Sequence, residues 1–154
     1  MPLQKTIQLV HLQNKKNKIM NLSKNFTLEE MCVTHANIAN RPTQDNINNL
    51  GLLVREVLQP LRDLVGFSIH VNSGFRSPLV NKSVGGVPTS QHVKGQAADI
   101  VSQNNKLLFD TIHEELLFDQ LINEHDYSWI HVSYKSQGNR NEVLELRDGQ
   151  YIKI

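Results

Sequence analysis

The chain has 154 residues, with 39% hydrophobic and 20% charged side chains, which fits one domain with a modest core under a polar surface. No run of 18 apolar residues occurs, so a transmembrane segment is excluded, and a single cysteine, Cys32, excludes an intramolecular disulfide. The net charge of +1 is uneven: residues 1–19 hold Lys5, Lys15, Lys16 and Lys18 and no acid, and without them 12 basic face 15 acidic residues, a net of −3. An acidic body lacks the clustered Lys and Arg that phosphate binding requires, so no nucleic-acid partner is expected.

Residues 1–19 read as a disordered tail or a mis-called start, and residues 20–154 as the domain. The apolar pieces of that tail, Ile7 and Leu9–Val10, are too short for a signal-peptide h-region. From Thr27, the order Thr-Leu-Glu-Glu is a capping box that opens a short helix. A longer helix is predicted from about Thr43 to Val65, because Ile47, Leu50, Val54, Val57, Leu61 and Leu64 recur in steps of three and four. Pro60 should kink or split it, and Gly66 should end it.

Phe67, Ile69 and Val71 alternate with Ser68, His70 and Asn72 and predict a half-buried strand. A turn region from Asn72 to Pro78 follows, then a short helix or loop that ends at Gly85-Gly86. Ala97–Val101 is a second strand, 105–117 has helical spacing, and alternation over Trp129–Tyr134 gives a third strand. Glu142–Arg147, Asp148-Gly149 and Gln150–Ile154 form a hairpin pattern around a favoured turn dipeptide. Helices first and short strands afterwards predict an α+β domain whose mainly antiparallel sheet is flanked by helices.

Seven histidines occur, and five of them, His11, His35, His70, His113 and His125, sit where a solvated or structurally bonded imidazole explains them. His92 and His131 differ. His92 precedes Asp99 by seven residues, and Asp99 is embedded in Ala-Ala-Asp-Ile-Val, where a carboxylate is costly unless paired or bound to a cation. Gly95 lets the chain fold back so that Asp99 approaches His92, and alternation aims His131 at one face of its strand. Two imidazoles and a carboxylate suit a catalytic zinc with an open fourth position. A buried His–Asp hydrogen bond explains the same residues, so chemistry alone leaves the metal open.

The wording Ser90-x-His92-x-x-Gly95-x-Ala97-x-Asp99 resembles the zinc D-alanyl-D-alanine peptidase family: D,D-carboxypeptidases, D-Ala-D-Ala dipeptidases and phage endolysins that share a fold with the Hedgehog signalling domain. Asn72–Asn81 with Gly85-Gly86, then Phe118–Ile122 and Ser128–Tyr134, resemble the same family in the same order, over roughly residues 26–135. The resemblance implies His92, Asp99 and His131 as ligands of one zinc ion, Arg76 as the donor that steadies the carbonyl as it becomes tetrahedral, and Ser90 near the substrate. It also implies a carboxylate three residues before the last histidine, where this chain has Ser128. Glu124 and Asp126 are the replacements, with Glu124 favoured because it follows the family-like Asp119–Ile122 segment. Trp129 reads as a substrate platform or as core packing.

The resemblance implies a zinc peptidase that hydrolyses amides next to D-amino acids in peptidoglycan stem peptides, as carboxypeptidase or as endopeptidase. The missing acid at Ser128 keeps a non-catalytic, zinc-containing wall-binding or Hedgehog-like module as the alternative. With no legible export signal, cytoplasmic synthesis followed by action at the wall after release or export by other means is expected.

Overall fold

A computed structural model describes residues 18–154; the basic stretch before Lys18 lies outside the described residues. Of the expected tail, residues 1–19, only Lys18 and Ile19 fall among the described residues, and from Met20 onward the chain is tied down. The Met20 amide donates to the Glu29 carboxylate at 3.2 Å, and its carbonyl accepts from the Leu28 amide at 2.8 Å.

Helix α1 (Leu28–Met31) is capped as expected: Thr27 accepts from the Glu30 amide, and the Glu30 side chain reaches back to the Thr27 amide. A second capping box, Thr43 with Asn46, opens α2 (Gln44–Leu53). A π turn over Val54–Leu58 then leads into α3 (Gln59–Val65), which ends at left-handed Gly66. The break therefore falls ahead of Pro60 rather than at it. Proline crowds the carbonyl four residues back, and the wider π turn, in which Gln59 donates to Val54, relieves that crowding. The extra residue in that turn also rotates the following helix face. Leu58 and Leu61 are buried, whereas Leu64, expected on the apolar face, is 56% exposed.

Six strands form one mixed sheet: β1 (His70–Ser73), β2 (Ala97–Val101), β3 (Gln120–Glu124), β4 (Trp129–Ser133), β5 (Glu142–Arg147) and β6 (Gln150–Lys153). Their spatial order is β1-β2-β4-β3-β5-β6, antiparallel at every pairing except the parallel β3–β5 pair. The first strand starts three residues later than its alternation suggested, because its ladder to β2 runs only from His70 opposite Val101 to Ser73 opposite Asp99. Helix α4 (Pro78–Ser83) fills the stretch before Gly85, and α5 (Asn105–Glu115) ends two residues early as Leu116 turns extended. Strand β3 has no counterpart among the predicted elements. Its burial is nearly continuous, with Asn123 and Glu124 both inside, so no polar–apolar alternation marks it.

One face of the sheet packs against α5 and shares its core with α2 and α3. Val71, Ala98, Ile100, Leu121, Ile130 and Val132 meet Leu53, Leu61, Leu108 and Ile112 there. Each fully buried leucine or isoleucine contributes about 1.5–3 kcal/mol on leaving water. With that face committed to the core, period-2 alternation turns every other residue of the central strands to the opposite, open face.

Candidate metal centre and cleft

The open face is organised by register. Ser73 lies opposite Asp99, Asp99 opposite His131, His131 opposite Ile122, and Ile122 opposite Leu144, one row across β1, β2, β4, β3 and β5. Paired residues in a sheet share a face, so this row brings Asp99 and His131 together from 32 residues apart. One step along, Glu124 lies opposite Trp129. Gln120, Ile122 and Glu124 thus line the same cleft, of about 370 Å³, as Arg76, His92, Asp99 and His131, with Trp129, Leu144 and Tyr151 along its walls.

His92 arrives from outside the sheet, on a 3₁₀ turn (Gln91–Lys94) whose N-cap is Ser90. Gly95 closes that turn at φ 73°, and an added Cβ there would sit 2.6 Å from the Asn46 carbonyl oxygen, so the fold-back into β2 requires glycine. The result puts His92 Nε2 3.4 Å from Asp99 Oδ1, with His131 Nδ1 2.9 Å from the same oxygen. Arg76 donates to the other carboxylate oxygen, Oδ2, at 3.2 Å. Its Nε donates to Ser73 Oγ at 2.9 Å, and a terminal nitrogen donates to Asn81 Oδ1 at 3.2 Å. Three of the five guanidinium N–H groups are used in this way, which leaves two for the cleft.

His92 is 3% exposed, and its Nδ1 lies 2.7 Å from the Gly74 carbonyl oxygen. A carbonyl only accepts, so Nδ1 carries the proton and Nε2 turns its lone pair toward Asp99 Oδ1. Burial pushes the His92 imidazolium below its ordinary range, which keeps the ring neutral near pH 7. Burial alone would raise the Asp99 carboxyl, but the hydrogen bond from His131 holds it well below the usual carboxylate range. A neutral imidazole lone pair and an ionised carboxylate oxygen 3.4 Å apart repel each other unless a cation lies between them. That separation also matches the roughly 3.4 Å edge of a tetrahedron with zinc–ligand bonds of about 2.0–2.1 Å. His92, Asp99 and His131 therefore fit a divalent metal. Among the described residues they are the one group of three or more such side chains with ligand atoms all within 4.8 Å. The His92–Gly74 bond supplies the outer-shell hydrogen bond that orients a metal-ligating imidazole.

The carboxylates expected to act as base part company. Glu124 is 6% exposed and lines the cleft, with Tyr151 donating its hydroxyl to Oε1 at 3.1 Å. Burial pushes the Glu124 carboxyl up, against the downward pull of that hydrogen bond. Asp126 is exposed on the β3–β4 turn and is not part of the cleft lining. His125, Asp126 and Tyr127 are all left-handed there, and the Asn123 side chain fixes the turn by accepting from the Tyr127 amide at 2.6 Å. Ser128 is exposed on the same turn, its hydroxyl donating to the His125 carbonyl. Ser90 accepts from the His92 amide and shapes the ligand turn rather than lining the cleft. Trp129 is half-buried on the cleft wall, with the His125 ring 4.9 Å away. Ser73, Asn81, Gln120, Ile122, Leu144 and Tyr151 were not anticipated. Alternation of Gln120, Ile122 and Glu124 carries the signal for three cleft residues, once β3 is recognised as a strand.

Fold and site together define an α+β protein with a metal-competent His–Asp–His cluster in an open, acid-bearing cleft. Over residues 24–133, more than two thirds of its length, the chain matches the Peptidase M15 family, and it belongs to that family. Membership supports a metallopeptidase, and the matched segment contains all three candidate ligands. No curated relative matches the chain. No helix among the described residues is long and apolar enough to cross a membrane.

Proposed function

We propose that this protein is a zinc peptidase that hydrolyses amide bonds next to D-amino acids in peptidoglycan stem peptides. The observation that carries the catalytic reading is Glu124, a buried carboxylate in the same cleft as His92, Asp99 and His131. It offers a base where Ser128 occupies the family's usual acid position.

His92, Asp99 and His131 would hold the zinc ion, which when bound supplies Lewis acidity to a water and to the scissile carbonyl. Glu124 takes the proton of the attacking water, and its raised proton affinity suits that role near neutral pH. The same carboxyl then returns the proton to the departing amine. Arg76, locked by Ser73, Asn81 and Asp99, keeps two N–H groups to stabilise the oxyanion, a contribution typically of about 3 kcal/mol. Ile122, Leu144 and Trp129 provide an apolar wall for the peptide.

The test is mass spectrometry of purified peptidoglycan fragments incubated with zinc-loaded protein, beside a chelator-treated control. Loss of one D-Ala identifies a carboxypeptidase, and separated cross-linked dimers identify an endopeptidase. Bound zinc without any new product would refute catalysis and leave a wall-binding module. Glu124→Gln should lower kcat by about 100-fold or more while zinc stays bound.

A further inference from the structure

The hairpin β5–β6 lies beyond the segment matched to the family, yet it reaches into the cleft. Strand β5 pairs with β3 in parallel, with Ile122 opposite Leu144, and β6 returns with Tyr151 opposite Leu146. Tyr151 sits on an edge strand and is 56% exposed, so its ring adds little to the core. Its hydroxyl nevertheless points inward and donates to Glu124 at 3.1 Å from Oε1 and 3.4 Å from Oε2. No other side-chain hydrogen bond to the Glu124 carboxylate occurs among the described residues. The Asp148-Gly149 turn, left-handed at both positions, sets the hairpin register that delivers this one hydroxyl.

We infer that Tyr151 is the positioning residue for Glu124: the β5–β6 hairpin reaches into the cleft to hold the carboxylate in one orientation through a hydroxyl shared between its two oxygens. This rests on the reading of Glu124 as proton acceptor. A glutamate has three side-chain torsions, and at this strand end no other side-chain hydrogen bond among the described residues constrains the last of them. Misorientation of a base by a rotamer step costs rate without costing substrate affinity, because the substrate contacts Arg76 and the apolar wall. Removing the hydroxyl while keeping the ring isolates that effect.

The experiment compares wild type, Tyr151→Phe, Glu124→Gln and the double variant, all zinc-loaded, on the peptidoglycan fragments, together with crystal structures of wild type and Tyr151→Phe. The expected result is a kcat about tenfold lower in Tyr151→Phe at unchanged KM. In the Glu124→Gln background the same change should have no further effect, since the two residues act as a unit. In the crystals, Glu124 should occupy one rotamer in wild type and several in Tyr151→Phe. Full kcat in Tyr151→Phe, a loss that multiplies that of Glu124→Gln, or an unchanged single Glu124 rotamer would each overturn the inference. A wild-type protein that yields no metal-dependent product would sink the peptidase reading by itself, and the rotamer comparison would still decide the positioning role.

Discussion

If the lone pair of His92 Nε2 faces Asp99 because Nδ1 is committed to Gly74, a divalent metal should bind the folded protein and stabilise it. The three ligands come from a 3₁₀ turn, β2 and β4, so a bound ion ties together segments up to 39 residues apart, from position 92 to position 131. A ligand that binds only the folded state adds about 2.7 kcal/mol when present at 100 times its Kd. For a domain of this size each kcal/mol moves Tm by about 2–4 °C, so saturating zinc should raise Tm by roughly 5–10 °C. Thermal unfolding with and without zinc, after treatment with chelator, measures this directly. His92→Asn is the informative variant. Its amide nitrogen can still donate to the Gly74 carbonyl, whereas the second nitrogen that would meet the metal is gone. His92→Ala would also lose the Gly74 bond from a buried site, at about 1–3 kcal/mol, and confuse fold with ligation. The zinc-induced shift should vanish in His92→Asn while its metal-free Tm stays within a few degrees of wild type. An undiminished zinc shift in that variant would show that the metal binds elsewhere, and the derivation of the ligand tautomer would fall with it.

Other expectations concern the scaffold. Asp119 is fully buried and bonded by Arg140 and Lys135, which bring its pKa down to about 2 against the upward push of burial. A lowered folded-state pKa gives stability that is present above the unfolded value near 4 and lost as pH falls toward 2. Urea unfolding should therefore find about 2 kcal/mol disappearing over that window in wild type but not in Asp119→Asn. Gly74→Ala places a Cβ 2.3 Å from the Met31 carbonyl oxygen, beside the Phe75–Met31 backbone bond. It should cost about 1–3 kcal/mol, seen as a lower Tm, and an unchanged Tm would contradict that close approach. Burial, assisted by the Glu29 charge, pushes the Cys32 thiol up to about 11. Iodoacetamide at pH 8 should leave it largely unmodified in the folded protein and label it fully in urea.

Local chemistry made much of this molecule legible from its sequence. The Thr27–Glu30 capping box, the Gly66 stop, the Asp148-Gly149 hairpin and the alternating strand around His131 are short-range patterns, and backbone sterics enforce them wherever they occur. Asp99 could be singled out for the same reason: a charge inside an apolar run has to be compensated. Other features depend on partners far along the chain. The π turn ahead of Pro60 rotates Leu64 out of the core, an outcome that step counting along the helix cannot foresee. Strand β3 escapes notice because Ile122 faces the cleft while Asn123 is buried to bond the Tyr127 amide, which inverts the polarity that marks a half-buried strand. Glu124 is favoured over Asp126 in the sequence by its place after Asp119–Ile122, and the left-handed turn then leaves Glu124 in the cleft and Asp126 in solvent. Tyr151 reaches Glu124 only because β5 docks in parallel against β3 and β6 folds back. Sequence alone determined which groups needed partners; the order of strands in the sheet decided which partners they met.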